Sequence, residues 1–400
     1  MWSLYTGVIM SKVKGTTLIQ PYKGWASKNQ IQKLVKTHGQ ERVDRVLLAC
    51  ENIWKLPEKL GLGKKELFSM ALYIETKLKG RVKKGEFYLR KEKTGLARTI
   101  EYDPKSHKTF IHLKTHNVNR VGKGCHKRVT LSIMYRAHTP EVVVNSVGDE
   151  TILREAKALK MLKGKPGIVP TYAMTQHVKK KTHEKVYSLI QKHYNAHSMR
   201  SYHERNAQIT KKECVKMAKD IFSGLEAMHE KRLAHLDLHR GNILCNRSSK
   251  GFECALIDFG QTRSFDAAKE RVPQVEVPRR FVTPESLVKG KHRVDVRKIE
   301  VFAIGWNLLY LYFKKEPGWA DNKKFYELKK MSRHDKKKFQ KELIHDINKS
   351  LKSASHKIRS RNKEWVTFGK MILKMCDVDP KKRQSATTLR KQLGVLLTKM

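Results

Sequence analysis

Acidic residues are scarce in this sequence. Asp and Glu number 38 against 85 Lys and Arg, which gives a formal net charge of +47. So strong an excess favours acidic partners, such as nucleic acid, anionic membranes or acidic protein surfaces. The lysines are spread through nearly every segment, however, and lysine-rich composition alone produces that distribution. An acidic protein surface therefore stays one option for the partner, and nucleic acid is a disfavoured alternative.

Closely spaced cysteine pairs are also absent. None of the six cysteines forms a C-x-x-C motif, which argues against a metal site built from cysteines and predicts free thiols in a reducing compartment, the cytoplasm. The first residues, Met1 to Gly7, lack the basic and apolar regions of a signal peptide. We expect a protein without a leader, and export by a leaderless route stays an alternative.

Long hydrophobic runs are missing as well. The longest, Val301 to Phe313, is interrupted by Asn307 and is shorter than the roughly 20 residues that cross a bilayer. The sequence therefore predicts no membrane span. It also shows no internal repeat and no low-complexity linker. A chain of 400 residues with 39% apolar residues has enough material for a sizeable core and one to three domains.

One stretch, His235 to Leu244, gathers residues suited to phosphoryl transfer. Asp237 and Asn242 lie five residues apart, and Asp258 follows the short apolar run Ala255-Leu256-Ile257. Phosphoryl transfer needs a carboxylate to orient the attacking hydroxyl and oxygen ligands to hold Mg²⁺ against the phosphates. We assign Asp237 as the candidate base, and Asn242 and Asp258 as the candidate metal ligands.

The pattern H-x-D-x-x-x-x-N followed by D-F-G resembles the catalytic and metal loops of protein kinases. Two later segments extend the resemblance: Thr283-Pro284-Glu285 is similar to the A-P-E motif, and Asp379 to Arg383 is similar to D-P-x-x-R. The resemblance implies that Arg383 pairs with Glu285. Small-molecule phosphotransferases share the first pattern but do not usually carry these later elements, so a protein kinase is favoured.

The resemblance implies an α+β, two-lobed fold with a small β-rich N-lobe and a larger helical C-lobe. We place the protein kinase-like domain at 116–400. The segment 1–115 is predicted to be an N-terminal extension of unknown function, helical from about Ser27 to Lys79 and then built of short strands between Phe87 and Leu113. Lys323 to Lys341, rich in lysine and poor in apolar anchors, predicts a solvated helix.

The same resemblance implies an ATP site. Gly122 and Gly124 match the glycine-rich loop, whose backbone N–H groups cover the phosphates. Glu155 matches the glutamate that pairs with the family's third-strand lysine. That lysine is missing, because Val142-Val143-Val144 is followed by Asn145. Lys127, however, occupies the position of the third loop glycine, and in the with-no-lysine kinases a lysine at that position takes over.

Three further departures concern control and acceptor choice. Leu236 replaces an arginine that receives activation-loop phosphate in many kinases, so control by that route is not expected. His239 replaces a lysine of serine/threonine kinases, and Pro278 with its neighbours is closer to the tyrosine kinase pattern. These two features do not decide which hydroxyl, that of serine, threonine or tyrosine, accepts the phosphate. Glu300 stands where the central helix normally begins with aspartate, and we expect it still to accept backbone N–H bonds from the catalytic loop.

The predicted function is transfer of the γ-phosphate of ATP, with Mg²⁺, to a serine or threonine hydroxyl of a protein, with tyrosine as an alternative acceptor. Two other classes stay open. The missing lysine is compatible with an impaired pseudokinase that acts as a binding scaffold. The catalytic-loop pattern alone is compatible with a small-molecule phosphotransferase.

Overall fold

A computed structural model describes the chain as two compact units, one formed by Met1–Lys123 with Val129–Asn145 and the other by Gly124–Arg128 with Ser146–Met400. This division differs from the predicted one at residue 115, which stays a prediction. The described residues are 24–56, 60, 62–78, 88–91, 97–103, 107–113, 120–123, 127–178, 185–194, 198–200, 209–248, 251–265, 282–287, 295–314, 324, 327–328 and 330–400.

The first unit opens with helices, as the three- and four-residue apolar spacing predicts. They are α1 (Lys28–His38), α2 (Gln40–Trp54) and α3 (Lys64–Tyr73), the last continued by a π-helical turn over Ile74–Leu78. A reciprocal capping box between Ser27 and Gln30 starts α1, because each side chain bonds the other's free backbone N–H. Along α2, Val43, Val46, Leu47 and Cys50 form one buried face.

Six strands follow in the chain: β1 (Tyr88–Lys91), β2 (Ala97–Asp103), β3 (Lys108–Leu113), β4 (Arg120–Lys123), β5 (Lys127–Tyr135) and β6 (Glu141–Gly148). They run in the order β1-β2-β3-β5-β6, with β4 also beside β5. The β2–β3 and β3–β5 pairs are antiparallel and place Ile111 opposite both Ile100 and Ile133. The described residues between Phe87 and Leu113 thus include the predicted strands.

The helices and the strands of the first unit share one hydrophobic core. Val46 of α2 and Leu67 of α3 belong to the same buried cluster as Ile111 and Ile133 of the sheet. A helix or a sheet must bury its apolar face against another element. The helices before residue 80 therefore share their core with strands on both sides of residue 115.

The second unit is mostly helical. Its strands are β7 (Thr171–Val178), β8 (Lys185–Lys192), β9 (Leu233–Ala234), β10 (Ile243–Ser248), β11 (Gly251–Leu256) and β12 (Arg263–Ser264). Its helices are α4 (Glu150–Met161), α5 (Lys211–Glu230), α6 (Pro284–Leu287), α7 (Val296–Phe313), α8 (Arg333–Lys357), α9 (Lys363–Met375) and α10 (Ala386–Thr398). A β-rich unit with N-terminal helices and a helical unit confirm the predicted α+β class.

The core of the second unit is organised around α5 and α7. A capping box between Thr210 and Glu213 starts α5, and its predicted apolar face is buried. The apolar run from Val301 to Phe313 lies in α7, where Asn307 satisfies its amide by donating to the Ala303 carbonyl. Among the described helices none is long and apolar enough to cross a membrane.

The predicted lysine-rich helix over Lys323 to Lys341 is wrong in its bounds. The helix is α8, which begins at Arg333 and ends at Lys357. Phe339, Leu343 and Ile347, spaced four residues apart, are its buried face. This stripe anchors the helix in the core and lies mostly beyond the segment where the lysines are densest, so counting lysines misplaced the helix.

The predicted pair between Glu285 and Arg383 is present. The Arg383 side chain is fully buried and donates Nη2 to Glu285 Oε2 at 3.1 Å and Nη1 to Oε1. Its Nε donates to the Asp377 carbonyl at 2.7 Å. A buried guanidinium requires such complete pairing, because removing one partner strands the other charge. The pair therefore fixes the start of α6 relative to the segment before α10.

Candidate active site

A buried carboxylate holds the catalytic loop. Glu300 of α7 accepts the backbone N–H groups of His235 at 2.6 Å and of Leu236 at 3.0 Å. Its other oxygen lies 2.8 Å from Nε2 of His229. Leu236 has a positive φ of 65°, a left-handed conformation that is strained for a leucine. Glutamate thus makes the loop contacts expected where aspartate is usual.

His235 connects the catalytic loop to the strand that precedes the metal loop. Its Nε2 contacts the Ile257 carbonyl at 3.0 Å, and its Nδ1 accepts the Asp237 N–H at 3.3 Å. Complete burial lowers the pKa of His235, although the Glu300 charge opposes this. The ring is therefore neutral, with its proton on Nε2, and it sets the backbone position of Asp237.

The candidate base Asp237 and the candidate ligand Asn242 are in direct contact. Asn242 Nδ2 donates to the Asp237 carbonyl at 2.9 Å and to its Oδ2 at 3.0 Å. Burial, together with the nearby Asp258 charge, raises the pKa of Asp237 to about 6, while Asn242 and Lys127 oppose the rise. A carboxylate of this pKa is mostly ionised at neutral pH and is a stronger base than an ordinary aspartate.

A short hairpin joins the two candidate metal ligands. β10 begins directly after Asn242, β11 ends two residues before Asp258, and the Ile257 N–H donates to the Asn242 carbonyl at 3.0 Å. Asp258 itself has a left-handed φ of 65°. Pairing of the strands therefore fixes the separation between the two ligands, and the left-handed residue aims the second one.

Lys127 lies between two carboxylates. Its Nζ is 3.0 Å from Glu155 Oε2 and 2.8 Å from Asp258 Oδ1. Glu155 is carried by α4, which Asp149 caps, and the neighbouring Arg154 of α4 donates to the Gly260 carbonyl at 3.2 Å. The lysine that the sequence suggested as a replacement is therefore next to the proposed partner and the proposed ligand.

The charges in this cluster reinforce one another. Burial by itself lowers the pKa of Lys127, but the charges of Glu155 and Asp258 outweigh it, so this pKa is raised and the amine is charged. Burial by itself raises the pKa of Asp258, but Lys127 outweighs it and the pKa is lowered. For Glu155 burial prevails over the Lys127 charge, and the pKa is raised. Asp258 is thus the stronger acid of the pair.

Asn145, at the position of the missing lysine, belongs to a buried polar cluster of the first unit. Its Nδ2 is 3.0 Å from Nδ1 of His112, which also contacts Ser132 Oγ at 2.9 Å. The other ring nitrogen of His112 is 2.6 Å from Glu101 Oε2. No local sequence motif predicts this cluster, because its members come from four different strands.

The contacts of His239 were not predicted from the sequence either. Its Nδ1 accepts the Gly241 N–H at 2.9 Å, and its Nε2 lies 3.8 Å from Asp237 Oδ2. A Cβ at position 241 would lie 2.7 Å from the imidazole Cε1, so only glycine allows this approach. The H-x-G spacing was the available signal, because a glycine two residues later lets the histidine side chain turn back onto the backbone.

Of the two glycines in the predicted phosphate loop, the structure describes one. Gly122 lies in β4, within the first unit, and Gly124 falls outside the described residues. The second unit brings together the other predicted residues: Lys127, Glu155, Asp237, Asn242 and Asp258. The covering role of the two glycines stays a prediction.

The donor set fits a hard divalent cation. Asp258 offers carboxylate oxygens and Asn242 an amide oxygen, the ligand types that Mg²⁺ takes together with substrate phosphates. Glu155 Oε1 is buried without a hydrogen-bond partner, so the cluster holds unused acceptor capacity. Among the described residues no group of three or more His, Cys, Asp or Glu could hold a metal by itself. Phosphate oxygens would have to complete the coordination.

Comparisons with known proteins agree with this geometry. A family model described as protein kinase domain matches residues 121–393. Chicken smooth-muscle myosin light chain kinase is 34% identical over 82 residues, which are 20% of this chain and 4% of that protein. A putative serine/threonine-protein kinase of Acanthamoeba polyphaga mimivirus is 27% identical over 176 residues, 44% of this chain and 53% of that protein. Serine/threonine-protein kinase polo of Drosophila melanogaster is 28% identical over 120 residues, which are 30% of this chain and 20% of that protein. The chain thus spans at most about half the length of these relatives.

Replacing Lys127 by methionine tests the ion pairs. We expect the free energy of unfolding at pH 7 to fall by about 3–5 kcal/mol. The loss leaves the buried Glu155 carboxylate without its cation, whereas the Asp258 side chain is 35% exposed and solvent screens its part of the effect. Folding lowers the pKa of Asp258. A carboxylate of this kind adds stability above its unfolded pKa, and this stability is lost as the pH falls through its folded pKa. The difference between wild type and Lys127→Met should therefore shrink from pH 7 to below about 4.

Urea unfolding at several pH values measures this difference. Arg128→Met is the matched control, since Arg128 is the adjacent cation on β5 and is exposed. A Lys127→Met effect that is the same at every pH, or no larger than that of the control, would contradict the ion-pair assignment.

Proposed function

Because the chain belongs to the protein kinase family, we propose that it transfers the γ-phosphate of ATP to a serine or threonine hydroxyl of a protein, with Mg²⁺ as the metal. ATP and a divalent metal are general requirements of this family, and a protein is the substrate that its domain implies. The observation that carries the proposal is the cluster of Lys127, Glu155 and Asp258 in the same unit as Asp237 and Asn242.

The proposed roles follow from the contacts. Asp237 accepts the proton of the acceptor hydroxyl, for which a pKa of about 6 is suited at neutral pH. Asn242 uses its amide N–H to orient Asp237, which leaves its oxygen to bind the metal with Asp258. Bound metal neutralises the phosphate charge, and Lys127, kept cationic by two carboxylates, stabilises the charge that develops on transfer.

Two aspartate variants test the proposal. Asp237→Asn should keep the rise in melting temperature that Mg²⁺-ATP produces but lose most of the turnover, since this carboxylate acts on the acceptor hydroxyl. Asp258→Asn should lose both, because it removes the carboxylate that holds the metal. The assay is transfer of radiolabel from ATP to a mixed panel of Ser, Thr and Tyr substrates and small-molecule acceptors.

The alternatives predict different results in the same assay. A scaffold would show no transfer in wild type. Its rise in melting temperature with Mg²⁺-ATP would be the same in wild type, Asp237→Asn and Asp258→Asn. A small-molecule phosphotransferase would label only the small acceptors. Label on tyrosine alone would overturn the serine/threonine assignment while leaving the base and metal ligands unaffected.

Lys127 should matter for the rate beyond its role in stability. One positioned cation at a developing charge contributes about a hundred- to a thousandfold in rate. We expect Lys127→Met to lower the rate constant of transfer by that factor, measured in single turnover at saturating Mg²⁺-ATP. Arg128→Met should stay within about twofold of wild type. Equal rates for wild type and Lys127→Met would rule out the replacement of the missing lysine.

We also propose an acidic segment in the protein substrate, on a separate observation. α8 packs against α6, the helix that carries Pro284 and Glu285 of the motif similar to A-P-E, and Gln340 Nε2 donates to the Pro284 carbonyl at 2.7 Å. Lys337 and Lys341 flank Gln340 on α8 and are exposed. A positive surface beside α6 favours acidic residues in the protein substrate.

Charge reversal on α8 tests this substrate class. Lys337→Glu with Lys341→Glu should raise KM for acidic peptides by about 3–30-fold, because each exposed charge contributes up to about 1 kcal/mol. KM for Mg²⁺-ATP and for neutral peptides should not change, and added salt should reduce the effect. The control is Lys352→Glu with Lys357→Glu, exposed residues at the far end of α8. Equal effects of both pairs would indicate general charge alone.

A further inference from the structure

Two cysteines face each other across the hairpin between the proposed metal ligands. Cys245 of β10 and Cys254 of β11 are directly opposite in the antiparallel register. Their Sγ atoms are 2.7 Å apart, well inside the roughly 3.5–4.0 Å of ordinary non-bonded contact. Both side chains are buried, with exposures of 0% and 4%. Of the five cysteines that the structure describes, these two alone have a sulfur–sulfur contact.

The geometry is close to that of a covalent bond. Opposite residues on antiparallel strands have Cβ atoms about 4.5–5.5 Å apart, and a disulfide takes about 3.5–4.5 Å with sulfurs near 2.05 Å. Because the two Sγ atoms are already at 2.7 Å, bond formation requires an approach of well under 1 Å. We propose that Cys245 and Cys254 are a modification site, where a peroxide closes a reversible cross-strand disulfide.

The reaction is a two-electron oxidation. One cysteine first loses its proton, and its thiolate attacks an oxygen of hydrogen peroxide. The O–O bond breaks, a sulfenic acid and a hydroxide form, and the hydroxide takes up the released proton to become water. The thiol of the other cysteine then attacks the sulfenic sulfur, the S–O bond breaks, and a second water leaves. Two thiols are thereby oxidised to one disulfide while the peroxide is reduced to two waters. A small thiol such as reduced glutathione reverses the change by exchange.

The surroundings of the pair make closure slow. The pKa of Cys254 lies well above its usual range, because of burial first and then the contact with Cys245 and the charge of Asp220. Asp220 accepts the Cys254 N–H at 3.1 Å and is itself paired with Lys216. The thiolate of Cys254 is therefore scarce at neutral pH. Slow closure distinguishes this pair from a reactive catalytic thiol.

The bond would act on the hairpin that carries both ligands. Cys245 is three residues after Asn242, and Cys254 is four residues before Asp258. A cross-strand bond restricts the unfolded chain and holds the strands together. We expect the oxidised protein to melt several degrees higher than the reduced protein. The consequence for the ligands rests on the proposed function, whereas the bond itself does not.

Mass analysis of the full-length protein tests the bond. The protein is incubated with hydrogen peroxide, the remaining thiols are alkylated under unfolding conditions, and digested peptides are mapped. We expect the loss of two hydrogen atoms, a linked peptide pair containing residues 245 and 254, and full recovery of both thiols with reduced glutathione. Cys245→Ser and Cys254→Ser should each abolish the linked pair and the rise in melting temperature. Cys214→Ser, a buried cysteine of α5 without a sulfur contact among the described residues, should keep both.

The possible results lead to opposite conclusions. If both thiols of wild type are alkylated after prolonged peroxide treatment, or if either is lost only to sulfinic acid, the modification site is wrong. Because peptide mapping is done on wild type, it decides the question even where a serine variant fails to fold. The Mg²⁺-ATP thermal shift of the reduced protein tests the proposed function separately, since the disulfide can form whether or not nucleotide binds.

Discussion

The buried carboxylate of Glu300 is the constraint on which the candidate site depends. One oxygen takes two successive N–H groups of the catalytic loop, and the other lies against His229 at the end of α5. These bonds tie the loop to the two central helices of the second unit and hold Leu236 in a left-handed conformation. A buried carboxylate must have its hydrogen bonds made, so the loop has one satisfactory backbone path. That path places the Asp237 backbone, and the bond from Asn242 Nδ2 then orients the Asp237 carboxylate.

A series of hydrogen bonds and paired strands connects this loop to the metal loop. Neutral His235 binds the Ile257 carbonyl, Asn242 holds Asp237, and the β10–β11 hairpin returns the chain to Asp258. Three acidic or amide side chains are thus placed by backbone geometry before any ligand is present. The lone cation among them, within the contacts that the structure describes, is Lys127, whose charge lowers the pKa of Asp258. Preorganised charge of this kind needs no rearrangement when the reaction occurs.

What was predictable from the sequence was local along the chain. The catalytic-loop and metal-loop residues, the helix that carries Glu155, the long α5 and the pair between Glu285 and Arg383 all follow from short motifs or regular spacing. The extent of the first unit did not follow, because it is decided by which strands share a core with α2 and α3. The contact between Cys245 and Cys254 depends on strand register, which a one-residue shift would abolish. The bounds of α8 were missed because lysine density outweighed an apolar stripe.

The missing lysine has a physical explanation in the first unit. Asn145 donates to Nδ1 of His112, whose Nε2 is 2.6 Å from Glu101. These partners suit a neutral amide, since the carboxylate is already engaged by the imidazole. A lysine at position 145 would bring a second cation donor into a buried cluster where His112 already contacts Glu101. At position 127 the same charge meets two carboxylates that stabilise it. The cation and the amide are therefore each at the position whose neighbours suit them, and exchanging the two would destabilise both sites.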